Sequence, residues 1–267
     1  MMAEAWAAFL AVGAVAGFLA GLLGVGGGLV IVPALLAVFE WLGFPSRHLL
    51  HMALGTSLAS IVFTSLSSLR AHHGRGAVQW PTVRGMSAGL ALGTFGGAWL
   101  AARIPTVGLK WFFVVFAVVV AVQMLSGYKP RPSRRLPGAA GLNGVGGVIG
   151  AVSSFVGIGG GSMSVPFLTA CNVPMQQAVG TSAALGLPIA LAGLAGYAVN
   201  GFGIEGLPPY SVGYLYLPAL AGIVGASVVL APLGAAVAHR LPVPALKKCF
   251  ALLLLTLAGK MLWGLLR

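Results

Sequence analysis

Between Arg135 and Glu205 the chain carries no charged side chain at all. A soluble domain, in which about a quarter of residues are charged, does not tolerate such a stretch. Only 7% of this chain is charged, against 58% hydrophobic. Apolar runs of the ~20 residues that a bilayer-spanning helix needs recur along its whole length. In lipid the backbone must satisfy its own hydrogen bonds, so only helices and closed barrels span. Barrel strands alternate polar and apolar residues, and these runs do not. The sequence therefore predicts an all-α polytopic membrane protein in contact with the lipid bilayer.

Charge narrows the function. The 15 Lys and Arg face three acids, Glu4, Glu40 and Glu205. Most of the basic residues fall in short linkers between apolar runs, which is how cytoplasmic membrane loops look. They do not suggest a nucleic-acid partner. The scarcity of acids leaves an environment tolerant of anions. Asp is absent. Paired carboxylates and a plausible Ser–His pair are missing too, so enzymatic chemistry finds no support, and no cofactor or metal is implied. A carboxylate proton relay is disfavoured on the same grounds. Cys171 and Cys249 have no CxxC or metal spacing and read as packing residues. His48, His51, His72, His73 and His239 fall near helix ends or loops and read as interfacial. Lys260 lies inside an apolar run, either functional or snorkelling to the interface. The N-terminus has no basic region before its apolar run and reads as part of the mature fold.

The chain repeats itself. "LGVGGGLVIVPAL" (Leu23 to Leu35) answers "VGIGGGSMSVPFL" (Val156 to Leu168). "ALGTSLAS" (Ala53 to Ser60) answers "AVGTSAAL" (Ala178 to Leu185), and "AARIP" (Ala101 to Pro105) answers "AHRLP" (Ala238 to Pro242). "LKWFFVVFAVVVAVQML" from Leu109 answers "LKKCFALLLLTLAGKML" from Leu246. Matched blocks in one order define two homologous repeats, 1–130 and 136–267, around a basic, Pro-rich linker at 131–135. Each repeat has four apolar segments. They run about Ala5–Phe39, Leu49–Leu69, Val83–Ala102 and Leu109–Leu125, then Gly138–Ala170, Met175–Val199, Tyr210–Val237 and Val243–Leu266.

The first segment of each repeat is too long for one span and holds a glycine triplet, 26–28 or 159–161, with Pro33 or Pro166 five residues on. Each interior glycine costs a helix about 1 kcal/mol relative to alanine. Small residues that let helices approach closely explain Gly17/Gly21 and Gly93/Gly97. They explain three successive glycines poorly, because successive residues face different sides of a helix. A P-loop is ruled out, since no Lys follows. Interrupted helices at matching places in two repeats instead point to a transporter's binding site. Freed glycine N–H groups form an anion-binding concavity, and the following half-helix presents its positive end. The "GTS" tripeptides Gly55–Ser57 and Gly180–Ser182 admit two roles, a back-bond to a carbonyl one turn earlier or donation to an oxyanion. Ser57, Ser60, Thr64 and Ser68 share one face of their helix. The predicted substrate site comprises the amides of Gly26, Gly27, Gly28, Gly159, Gly160 and Gly161 with the hydroxyls of Thr56, Ser57, Ser162, Thr181 and Ser182.

The "GxGGG…P" blocks (Gly24–Pro33, Gly157–Pro166), the "GTS" blocks and the duplicated plan resemble the TauE/SafE sulfite-exporter family of small membrane permeases. The resemblance covers nearly the whole chain. It implies a secondary transporter of a small sulfur-containing anion, such as sulfite, a sulfonate or sulfoacetate, in the bacterial inner membrane. Alternating access would operate at a midplane site between the broken helices. It fixes neither the anion nor the direction, and a homo-oligomer is compatible with it. A non-transporting membrane scaffold or an anion channel is the rival.

Topology rests on the basic residues. If all eight segments cross, Lys and Arg divide 8 to 6 between the two sides, Lys260 apart. If each glycine-broken segment is a re-entrant hairpin, each half crosses three times and the halves are inverted. The division is then 10 to 4, the four being Arg47, Arg103, Lys110 and Arg267. The positive-inside rule favours the second arrangement, with both termini periplasmic. Its weak point is that Arg103 and Lys110 lie outside while their repeat partners Arg240 and Lys247 lie inside.

Overall fold

A computed structural model describes residues 2–23, 27–126, 135–238 and 243–266. Gly26 and linker residues 131–134 lie outside the described residues. The first half contains α1 (Met2–Leu23), α2 (Gly28–Trp41), α3 (Leu49–His73), α4 (Trp80–Ala101) and α5 (Thr106–Leu125). The second contains α6 (Ala139–Val156), α7 (Gly161–Ala170), α8 (Met175–Gly201), α9 (Leu217–Ala238) and α10 (Val243–Leu266). Six of these, α1, α3, α5, α6, α8 and α10, are long and apolar enough to cross a membrane. Large side chains such as Trp6, Leu92, Val119, Val229 and Trp263 stand exposed on the outside, as suits a surface solvated by lipid tails.

The glycine breaks fall where the sequence places them, and at each the chain doubles back. A Cβ on Gly27 would lie 3.1 Å from the carbonyl of Ala16, well before the end of α1. Further on, the rings of Phe9 and Phe39 meet edge-on with centroids 6.3 Å apart. Thus α2 runs back along α1. In the second half, Met163 and Phe167 of α7 face Val145, Val148 and Ile149 of α6 across a cavity of about 390 Å³. The reversal there has a clear backbone cause. Gly157 closes α6 at φ +71°, and Gly160 opens α7 at φ +74°. Side chains with a Cβ avoid this left-handed region at a cost of roughly 1–2 kcal/mol. Pro33 and Pro166 sit at the same place in α2 and α7. Having no N–H, they leave the carbonyls of Leu29 and Ser162 without the usual helical donor.

Packing follows the repeat. The first helix of each half lies along the fourth element of the other, α1 on α9 and α6 on α4, while α3 packs on α8 and α5 on α10. Glycines set the spacing. A Cβ at Gly17 would fall on the Ser227 backbone, and one at Gly93 on the backbone of Gly147. Between helices in lipid, such close backbone approach replaces the hydrophobic drive that water would supply. The centre belongs to α3 and α8. Of the apolar window of α3, 72% is buried, against 28% in α1.

The segment Tyr210–Val237 is not one span. Residues 210–216 form a small hairpin, β1 (Ser211–Val212) paired antiparallel with β2 (Leu215–Tyr216), and α9 begins only at Leu217. Gly213 at φ +57° makes the turn. The Tyr214 N–H donates to the Tyr197 carbonyl at 3.2 Å, which ties the hairpin into the helical body.

Candidate functional site

The two glycine turns touch. A Cβ on Gly28 would collide with the Gly157 carbonyl and lie 2.9 Å from Ile158 Cα. Both "GTS" serines also reach the second turn. Ser57, from the other half, donates to the Gly157 carbonyl at 2.8 Å. Ser164 donates to the Gly160 carbonyl at 2.8 Å, so the 2.7 Å contact between Ser182 and Ser164 carries the Ser182 proton. Gly159 sits against Ile61, with Gly186 and Ser65 near 4 Å. The structure therefore brings Gly28, Ser57, Gly159, Gly160, Gly161, Ser162 and Ser182 into one region. Gly27 stands at the edge of it, beside Ala16.

Thr56 and Thr181 do a different job. The Thr56 hydroxyl oxygen accepts the Tyr216 N–H, and the Thr181 oxygen accepts the Gln79 N–H, both at 3.0 Å. Tyr216 and Gln79 are the residues immediately before α9 and α4. Gly55 and Gly180 are glycines for the same reason. A Cβ on Gly55 would lie 2.9 Å from the Tyr214 carbonyl, and one on Gly180 would strike the Ala77 carbonyl. In each motif the Gly and Thr seat the start of a helix from the other half, and only the Ser turns toward the glycine turn. Thr181→Val should therefore lower the melting temperature, leaving the Gln79 donor unpaired at a cost of about 1–3 kcal/mol. Anion affinity should stay at the wild-type value. A thermal-shift series with and without anion checks both.

What remains is a set of neutral donors at the start of α7. The N–H groups of Gly161 and Ser162 precede any intrahelical acceptor and carry the positive end of the helix. Ser153 is fully buried, and its hydroxyl lies 3.5 Å from where a Gly160 Cβ would be. Neither Ser153 Oγ nor the buried Ser162 Oγ has a hydrogen-bond partner. A buried hydroxyl without a partner is costly, and these two flank the start of α7, Ser153 from α6 and Ser162 from α7 itself. Among the described residues no Lys, Arg, Asp or Glu is buried. Lys260 is exposed on the outside of α10, which fits snorkelling. Ser60 and Thr64 bond back to the carbonyls of Ser57 and Ile61.

Sequence reasoning missed Ser153, Ser164 and Gly157. Ser164 was visible in principle, since it follows the triplet in "GGGSMS". Ser153 precedes the break by a full turn, and only the chain reversal brings it to Gly160. His51 was misjudged as interfacial. It is 3% exposed, with Nε2 donating to the carbonyls of Ala101 and Ile104 at 3.1 and 3.2 Å.

Comparison with known proteins agrees with this architecture. The family model for the sulfite exporter TauE/SafE matches residues 9–261. A probable membrane transporter protein of Haemophilus influenzae is 40% identical over 255 residues, covering 94% of this chain and 96% of its own. One from Methanocaldococcus jannaschii is 29% identical over 215 residues, 78% of this chain and 76% of its own. A Bacillus subtilis relative with the same description is 28% identical over 194 residues, 70% and 76% of the two chains. No solved structure matches. With a family match over nearly its whole length and spans enough for several crossings, the chain belongs to the TauE/SafE sulfite exporter family and is a multi-pass membrane transporter, not an enzyme.

Proposed function

We propose that the protein moves a small sulfur-containing oxyanion, of the sulfite or sulfonate class, across the bacterial inner membrane by alternating access at the second glycine turn. The observation that carries this is the pair of buried, unpartnered hydroxyls that flank the start of α7, Ser153 near the end of α6 and Ser162 in the first turn of α7. An oxyanion lodged there accepts from both hydroxyls and from the N–H groups of Gly161 and Ser162. Neutral donors and a helix dipole bind a single charge without a buried cation, so the anion can leave again. Gly28 and α2 close the place from the other half, so relative motion of the two hairpins would open it to one side or the other. The reciprocal packing of α1 on α9 and α6 on α4 supports a pseudo-two-fold relation between the halves. A hairpin that returns to its own side leaves an odd number of crossings in each half, whether or not its tip reaches the far face.

Ser162→Ala tests the site. Losing one hydrogen bond to a charged group costs about 1.5–3 kcal/mol, which is at least roughly tenfold in affinity. Saturable uptake of labelled sulfite into proteoliposomes should show that rise in apparent KM. An unchanged KM in both Ser153→Ala and Ser162→Ala would rule the site out.

A further inference from the structure

A polar cavity of about 610 Å³ opens at the end of the molecule where α3 and α5 begin and α4 and α10 end. Arg47, His48, His51, Arg103, Lys110 and Tyr214 are among the residues that line it. Two helix N-termini, those of α3 and α5, add their positive ends. Glu40 pairs with Lys110 at 3.2 Å, so among the described residues the uncompensated charge comes from Arg47 and Arg103. The Arg103 guanidinium is held in place, 3.4 Å above the Trp99 ring and donating to the Trp99 carbonyl at 2.7 Å. His51 is stacked on Tyr214 with centroids 5.1 Å apart.

The two imidazoles carry the argument further. His48 Nδ1 and His51 Nδ1 are both buried and have no hydrogen-bond partner. The Nε2 of His51 faces only carbonyl oxygens, so it must hold the proton. In the neutral ring, Nδ1 is then an acceptor. It can meet an oxyanion only across a proton, which either the ring or the anion supplies. Burial, and then the adjacent Arg47 charge, holds the His48 imidazole below the usual histidine range. The second half keeps Arg240 for Arg103 and Lys247 for Lys110, but it does not repeat the rest of this set. Aligning Gly55 with Gly180 puts Asn172, Val173 and Gln176 where Arg47, His48 and His51 stand. The connection before α8 therefore lacks the Arg47–His48–His51 set.

We propose that this cavity is a vestibular oxyanion site, holding a small oxyanion against Arg47, Arg103 and the Nδ1 of His51. Binding here does not depend on the glycine-turn site. Only the idea that the basin feeds that site rests on the proposed function. In the hairpin topology the basin also gives Arg103 a reason to be on the side with few basic residues, serving the anion rather than orientation.

Calorimetric titration of the purified full-length protein with sulfite separates the two sites. Gly160→Leu disables the glycine turn and should leave sulfite binding in the basin intact. Adding Arg47→Gln should weaken that residual binding at least tenfold. Arg47 is exposed, and its backbone carbonyl, which accepts from Thr106 at 2.7 Å, is untouched by the change. If Gly160→Leu lowers the melting temperature, the Ser153→Ala/Ser162→Ala double variant replaces it as background. The proposal is overturned if Arg47→Gln binds sulfite as tightly as its background, or if the background binds none at millimolar concentration. A raised transport KM in Ser162→Ala with the basin still binding would support the glycine-turn site. An unchanged KM in both Ser153→Ala and Ser162→Ala with a binding defect in Arg47→Gln would sink that site and keep the basin.

Discussion

Gly160→Leu is expected to abolish sulfite uptake while the protein still inserts and purifies as a folded species. The expectation comes from two independent costs at one residue. Gly160 has φ +74°, where any Cβ costs roughly 1–2 kcal/mol. Its Cβ would also lie 2.6 Å from Ile189 Cδ1 and 3.5 Å from Ser153 Oγ. The Ile189 contact is with the tip of a flexible side chain and can give way. The Ser153 side is the proposed anion site, and a leucine there would occupy the place of the anion oxygens. Gly160→Ala separates strain from occlusion. It bears the backbone cost but leaves most of the space, so it should retain measurable uptake with a lowered melting temperature. Proteoliposome uptake beside thermal unfolding reads both variants. Wild-type uptake by Gly160→Leu would remove the second glycine turn from the transport path.

The sequence made the helices and their breaks legible for a physical reason. Lipid enforces long apolar runs, and three successive glycines cannot be explained by packing on one helix face. The two triplets looked equivalent, yet the second is the one whose hydroxyls lack partners, while Gly26 falls outside the described residues. The "GTS" motif shows why a site is harder to read than a fold. Thr56 and Ser57 are neighbours, so spacing cannot tell them apart. Their partners, Tyr216 and Gly157, are more than half a repeat away, and only the interlocking of the two halves assigns one hydroxyl to structure and the other to the turn. His51 follows the same logic. A histidine in the first turn of a helix looks interfacial until the ends of α4 and the 210–216 hairpin are seen to close over it.

The second large effect concerns which side of the membrane each connection faces. The basin draws together Arg47 and His48 before α3, Ile104 before α5, Ile204 and Tyr214 before α9, and Leu265 near the end of α10. If each glycine-broken segment crossed the membrane once, the connection before α3 and that before α9 would lie on opposite sides. Hairpins that return to their own side put all of these connections on one. With the excess of Lys and Arg on the other side, the positive-inside rule predicts that the basin faces the periplasm. In a background with Cys171 and Cys249 replaced by Ser, cysteines at the exposed positions Ser46 and Glu205 should both react with a membrane-impermeant thiol reagent in intact cells. A cysteine at Arg75, in the exposed turn between α3 and α4, should react only after the cells are opened. Labelling of Ser46→Cys without Glu205→Cys would restore eight single crossings. Labelling of Arg75→Cys alone would keep the hairpins but turn the molecule over, moving the oxyanion basin to the cytoplasm and reversing the end from which it could load the glycine turn.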